Sequence, residues 1–224
     1  MSSPGGLAGR EAGTQDLSSP ERLGSLFGPR SLALVGASDT SGWARNVYQS
    51  LRTAGFDGTF VPVHPHHPTF FGIPTRPSLR HLDEPVDLAF ALVPTEAVEQ
   101  VVEDAAAAGV HNLVVLAAGY AERGEEGRHR EERLTELAQR HDITVLGPNG
   151  LGFINATARV APYGLAVAPP LIPGPVGVVL QSGALASAVQ AFARSHAIGI
   201  SLLVSMGNEA MVTTADVIEY LIVD

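Results

Sequence analysis

The chain has no cysteine, which excludes disulfides, thiolate metal sites and a cysteine nucleophile. Aromatic residues are scarce, 6% of the sequence with a single tryptophan, and cations are outnumbered, 14 Lys and Arg against 23 Asp and Glu. A formal net charge of −9 argues against a nucleic-acid surface, which needs cations facing the phosphate backbone. It also means that an anionic ligand must be held by local donors and helix ends, because the field of the whole molecule repels it. No apolar run reaches the length of a membrane span, and the start lacks the basic-then-apolar pattern of a secretory signal. A cytoplasmic protein is the expectation. What is present is 45% hydrophobic residues with only 17% charged, enough for a sizeable core in one or two domains.

Residues 1–18 are rich in Gly, Ser and Pro and read as a disordered leader. Ser19-Pro20-Glu21 then reads as a helix start, serine as cap and proline at the first helical position. From there the pattern alternates. Apolar strands are predicted at residues 31–35, 59–63, 87–93 and 112–118, with a short one in "ITVLGPNG". Helices are predicted from near Gly42, over residues 96–109 with Thr95 as cap and Gly109 as stop, and over residues 125–141. Continuous apolar strands alternating with helices make an α/β fold with a parallel sheet covered on both faces. A second unit is expected after the connector "PPLIPGP": strand "VGVVL", turn "QSGAL", a helix to about Ser195, strand and loop "ISLLVSMGNEA", and a helix from near Thr213. Two strands and two helices leave much apolar face uncovered, so residues 170–224 read as a truncated domain of a longer protein.

The stretch "SLALVGASDTSGWARN" is a strand, a glycine turn and a helix start. In such a sheet ligands sit beyond the carboxyl ends of the strands. There the backbone amides from Gly36 to Gly42, with the hydroxyls of Ser38, Thr40 and Ser41, can surround a phosphate at a helix N-terminus. The second strand ends in "VPVHPHH", where an NAD site would place an acidic residue for the ribose hydroxyls. His64, His66 and His67 tolerate a phosphate on the ribose, which points to coenzyme A or NADP ahead of NAD. A solvated Pro/His turn is the plainer reading of the same residues, and their spacing does not suit a metal, so no metal site is assigned.

Several stretches together carry a resemblance: "PRSLALVGAS", "GTFVPVHP", "FGIPTRPSL", "DLAFALVP", "LAAGYAE", "LGPNGLGFIN", "GPVGVVLQSGALASA" and "VSMGNEA". In this order they resemble the NDP-forming acyl-CoA synthetases, which include the succinyl-CoA synthetase alpha subunit and ADP-forming acetyl-CoA synthetases. The resemblance implies a Rossmann-like CoA-binding domain over residues 19–160, followed by the start of a flavodoxin-like ligase domain. It implies coenzyme A as the ligand, contacted by the loop with Gly36, Ser38, Asp39, Thr40 and Ser41, by the turn Pro65, His66 and His67, and by Leu116, Ala117 and Ala118. Two departures stand out. Histidine occupies the turn where the family often has lysine, and Gly150 stands where it usually has cysteine.

The reaction implied passes phosphate through a histidine: an acyl phosphate forms, CoA displaces the phosphate as a thioester, and the phosphohistidine hands its phosphate to ADP or GDP. The turn Ser182, Gly183 and Ala184 is implied as the helix end that holds the phosphohistidine. A turn that needs glycine only for geometry reads the same. The resemblance implies a phosphorylated histidine past the point corresponding to residue 224, and none of the eight histidines of this sequence lies in a matching motif. ATP or ADP and Mg2+ are expected to be held by an ATP-grasp domain or beta subunit outside this chain. Glu209 and Asn149 are further candidates on loops, with a helix-capping carboxylate and a turn residue as their plainer readings. Glu122, Glu125, Glu126, Glu131 and Glu132 read as a solvated face, and Trp43 as packing. Three functions follow: part of an acid–thiol ligase acting on CoA and a carboxylic acid, a CoA-binding regulatory module, or an NAD(P)-binding redox domain.

Overall fold

The computed structural model describes residues 16–223, so the predicted leader lies outside the described residues except for its last three positions. The described chain opens with α1 (Pro20–Phe27), β1 (Ser31–Val35), α2 (Gly42–Ala54), β2 (Thr59–Val63) and a small hairpin of β3 (Thr69–Phe70) and β4 (Ile73–Pro74). It continues through β5 (Leu88–Ala91), α3 (Val98–Ala107), β6 (Asn112–Val115), α4 (Glu125–Arg140), β7 (Thr144–Leu146) and β8 (Gly152–Asn155). After the proline-rich connector come β9 (Val176–Leu180), α5 (Gly183–Ser195), β10 (Ile200–Ser205) and α6 (Thr214–Val223). Among the described residues no helix is long and apolar enough to cross a membrane.

The first sheet is parallel, in the order β2-β1-β5-β6-β7. Its strands alternate with period two and feed two cores. Leu32, Leu34, Leu88, Phe90, Val114 and Leu146 face α1, α2 and the second unit. Ala33, Val35, Ala89, Ala91, Leu113 and Val145 face α3 and α4. The strand order reverses between β1 and β5, which opens the ligand crevice of a doubly wound sheet at their carboxyl ends.

The helix boundaries follow local chemistry. Ser19 accepts the Arg22 amide at 3.4 Å with Pro20 at the first turn, and Gly55, in the left-handed region at φ 75°, closes α2. One expected cap is corrected. Thr95 opens a single 3₁₀ turn, and its hydroxyl donates to the Ala118 carbonyl instead of accepting a helix amide. The loop after β5 is thereby tied to the loop after β6.

The second sheet has three strands, in the order β8-β10-β9. β10 runs parallel to β9 and antiparallel to β8. The strand β8 was not anticipated in the sequence; it carries the chain from the first sheet directly into the second. Phe27 of α1 packs edge-on to Phe153 at 5.1 Å and against Tyr220 at 5.5 Å, so one core runs through both units. Burying each such ring contributes roughly 1.5–3 kcal/mol. On the far side, α5 and α6 leave Phe192 58% and Ile222 78% exposed.

Candidate functional site

The β1–α2 loop is held at both ends. The Gly36 and Ala37 amides donate to the Val63 carbonyl at 2.9 and 3.2 Å, docking the loop on the end of β2. Gly36 has φ 90°, and a Cβ there would collide with the Leu92 carbonyl, so only glycine permits this turn against the end of β5. Ser38 and Thr40 share a hydroxyl–hydroxyl bond of 2.9 Å. Ser41 caps α2, its hydroxyl accepting the Ala44 amide at 3.3 Å. Asp39 is held away from the loop interior, its carboxylate accepting the Phe71 amide at 2.9 Å and its carbonyl accepting from Arg45. The amides of Ser38, Asp39, Thr40, Gly42 and Trp43 have no acceptor among the described residues. Such a cluster at a helix N-terminus fits an oxyanion group.

The histidine turn divides into two roles. His64 is half-buried, and its Nδ1 accepts the amides of His66 and His67 at 3.1 and 3.2 Å, so its proton sits on Nε2. Burial lowers its pKa, and the neighbouring His67 and His66 lower it further. Pro65, His66 and His67 are exposed at the tip, two to four residues past Val63, the strand end that anchors the glycine loop. Leu116, Ala117 and Ala118 leave β6, which β1 and β5 separate from β2 and its histidine turn in the sheet. The Ala117 carbonyl accepts the Asn149 amide at 3.0 Å, and Ala118 is exposed at the surface.

Between the two units lies an open crevice of ≈ 570 Å³. Ser182, Gly183 and Ala184 line it at the N-terminus of α5, together with Asn149 and, from the first unit, Trp43. Ser182 caps α5 with its hydroxyl 3.4 Å from the Leu185 amide. A Cβ at Gly183 would collide with the Leu151 side chain. The Gly183 carbonyl accepts from the Tyr163 hydroxyl at 3.1 Å; burial raises that hydroxyl above its ordinary value of 10, which keeps it a donor. Trp43, expected as packing, is 45% exposed and forms crevice wall.

The polar side of the crevice is organised by Asn208, which sequence reasoning passed over. Its Nδ2 donates to Glu122 Oε2 at 2.6 Å and to Glu131 Oε2 at 2.8 Å, and its Oδ1 accepts from Asn149 Nδ2 at 3.3 Å. Glu122 also accepts the Gly119 and Tyr120 amides. Burial tends to raise the Glu122 carboxyl, but the hydrogen bonds from Asn208, Gly119 and Tyr120 outweigh it and hold the pKa below its ordinary value. Two members of the predicted solvated face therefore clamp the β6–α4 loop to the loop after β10. Asn149 has φ 60°, as a turn residue does, yet its side chain reaches across to Asn208 instead of its own backbone. Glu209 is the helix cap: its carboxylate accepts the Thr214 amide at 2.7 Å and hydroxyl at 3.0 Å, away from the crevice wall. Gly150 is buried, and a Cβ there would lie 2.6 Å from the Ser205 carbonyl, so this packing leaves no room for a side chain. Among the described residues no group of three His, Asp or Glu side chains could hold a metal ion.

Residues 30–156 match the CoA binding domain model, and residues 173–224 match the succinyl-CoA ligase like flavodoxin domain model. The chain is 37% identical over 200 residues to the ADP-forming acetate–CoA ligase I of Archaeoglobus fulgidus, covering 89% of this chain and 29% of that protein. It is 32% identical to the alpha subunit of the ADP-forming acetate–CoA ligase I of Pyrococcus furiosus, covering 88% and 44%. The structure of the "dinucleotide forming" acetyl-coenzyme A synthetase 1 of Ca. Korarchaeum cryptofilum superposes with a TM-score of 0.82 at 32% identity, over 90% of this chain and 43% of that one. The chain thus spans less than half the length of these relatives. It belongs to the CoA binding domain family, set ahead of a succinyl-CoA ligase like flavodoxin segment as in the NDP-forming acyl-CoA synthetases.

Proposed function

We propose that the chain is the CoA-binding portion of an NDP-forming acyl-CoA synthetase, interconverting acyl-CoA, NDP and phosphate with carboxylic acid, CoA and NTP. The observation that carries this reading is the cluster of unpartnered amides at Ser38, Asp39, Thr40, Gly42 and Trp43, next to a crevice that a second helix N-terminus also lines. The amides hold the diphosphate of CoA, where charge-assisted bonds to anionic oxygens are strongest. His66 and His67 meet the ribose phosphate, and the loop at Ala117 and Ala118 guides the pantetheine arm towards the crevice. The amides of Ser182, Gly183 and Ala184 steady a phosphoryl group that is brought in on a histidine from outside residues 1–224. Asn149, oriented by Asn208, donates to the same group or to the substrate carbonyl, and Glu209 fixes the loop behind it.

An ATP-grasp domain or beta subunit supplies the nucleotide and Mg2+ in this scheme. The exposed apolar side chains of α5 and α6 support a further domain packing there. The cysteine-free, acidic composition fits a cytoplasmic setting. The test is a calorimetric competition between CoA and NADPH for this chain. CoA binding that NADPH does not displace is expected; tighter binding of NADPH overturns the reading in favour of a redox domain. A second titration with dephospho-CoA tests His66 and His67: an affinity equal to that of CoA removes them from the site.

A further inference from the structure

The crevice has two unlike walls. Glu122, Asn149 and Asn208, linked by hydrogen bonds, give one donors and acceptors, whereas Trp43 and Leu151, gathered around Gly164, and Leu165 give the other mainly apolar area. Trp43 is the second residue of α2, directly behind the glycine loop, and its ring is 45% exposed. Its wall is built in place. The segment carrying Leu165 is tied to α2 by Asn46 Nδ2 donating to the Gly164 carbonyl at 3.0 Å and by the Ser50 hydroxyl donating to the Leu165 carbonyl at 3.1 Å. Gly164 lies under the ring: a Cβ there would come 3.3 Å from Trp43 Cε3 and 2.7 Å from Leu116 Cδ1, so only glycine lets the backbone lie so close. An ordered wall of this kind loses little side-chain freedom when a ligand covers it.

A ligand between these walls needs a polar head and an apolar body. The volume of ≈ 570 Å³ falls within the range of roughly 300–1,000 Å³ that takes a small organic molecule, and an acetyl group would leave the apolar side open to water. We infer that Trp43, with Leu151 and Leu165, contacts the acyl group carried on CoA and selects acyl groups with an apolar, preferably aromatic, body over acetyl. The inference rests on the CoA reading above and adds to it the class of carboxylic acid used. The thioester carbonyl lies towards Asn149 and Asn208, and the body of the acyl group lies flat on the indole ring.

Because the sequence holds a single tryptophan, indole emission reports on this wall alone. The experiment titrates the 224-residue chain with CoA, acetyl-CoA and phenylacetyl-CoA, by calorimetry and by tryptophan fluorescence. Phenylacetyl-CoA is expected to bind about 3- to 10-fold more tightly than acetyl-CoA, the range that an aromatic pair adds beyond its area, and to give the largest emission change. Trp43→Ala is expected to bring the affinity ratio to about one, while Trp43→Phe retains most of it. Leu165→Ala lowers the ratio without touching the ring, which keeps the test intact if the alanine variant at position 43 does not fold. A ratio near one in the unaltered chain, or a ratio unchanged in Trp43→Ala, overturns the inference while CoA binding stands. Absence of binding by all three compounds overturns the CoA reading itself, and this inference with it.

Discussion

Two turns in this molecule are built alike and placed differently. Ser41 and Ser182 each precede a glycine, sit at φ −79°, ψ 118° and φ −83°, ψ 119°, accept the amide three residues on at 3.3 and 3.4 Å, and cap helices of 13 residues. The local sequence Ser-Gly therefore sets the cap twice in the same way. The surroundings differ. Before Ser41 the chain makes a loop from Gly36 that docks on β2 and presses on β5, and α2 buries Ala44, Val47, Ser50 and Leu51. Before Ser182 only Gln181 separates the cap from β9, and α5 buries just Ala186 and Ala193. The first turn is a preformed cradle within a closed core. The second is an open helix end, exposed on the crevice. Both turns reach the same crevice, through Trp43 and through Ser182 to Ala184.

The comparison is broken most sharply at the glycines. Gly36→Ala introduces a Cβ into the Leu92 carbonyl at φ 90°, a backbone clash that neither strand can relieve. A loss of about 3 kcal/mol or more in unfolding free energy is expected, together with loss of CoA binding. Gly183→Ala meets only the Leu151 side chain, which can change rotamer, and about 1–2 kcal/mol is expected. Denaturant midpoints decide this: equal costs would mean that the two turns are equally constrained.

Next in size is Asn208→Asp. It replaces the shared donor by a third carboxylate beside Glu122 and Glu131 and is expected to cost about 1–3 kcal/mol near neutral pH. Like charges cause the loss, so stability should recover towards that of the unaltered chain as the pH falls and the carboxylates protonate. A cost independent of pH would show that Asn208 acts by shape alone.

These outcomes bear on what could be read in advance. The strands of the first sheet were legible because each is largely an apolar run, and the Ser19 cap was legible because its chemistry is local, whereas Ser41 and Ser182 were read as phosphate-holding residues and their caps emerged only from the hydrogen bonds. β8 was not: Gly152–Asn155 is four residues long, follows a Pro-Asn-Gly turn, and takes its register from β10 about 50 residues later. The Asn208 clamp was hidden for a similar reason. Glu122 and Glu131 sit in a charge-rich stretch that a solvated helix would also show, and their partner is distant in sequence. Trp43 lies on an amphipathic helix, where periodicity alone cannot separate a ring that faces a crevice from one that faces the core. Glu209 and Asn149 were found by their position after strands, but only the hydrogen bonds separate the cap from the crevice donor.

Smaller effects sharpen the comparison. Ser41→Ala and Ser182→Ala are each expected to lower stability by about 1 kcal/mol, the usual cost of a lost cap. Matched geometry predicts matched costs, measured by chemical denaturation; a twofold difference would assign part of the cap energy to the surrounding packing. The smallest effect expected is that of Glu122→Gln. The Glu122 carboxyl is held below its ordinary value of 4.5, so its contribution is fully present above that value and is lost as pH falls through the lower folded-state value. The difference in midpoint between the unaltered chain and Glu122→Gln should thus be constant near neutrality and shrink in acid. A difference that grows in acid would reverse the assignment.

The central claim is that the first of the two turns grips CoA, and it is tested most directly by a crystal of this chain grown with CoA. The account predicts diphosphate density on the amides of residues 38–43, with the pantetheine arm directed into the crevice beside Trp43. CoA lodged at another place, or a site left empty at saturating CoA, would contradict it.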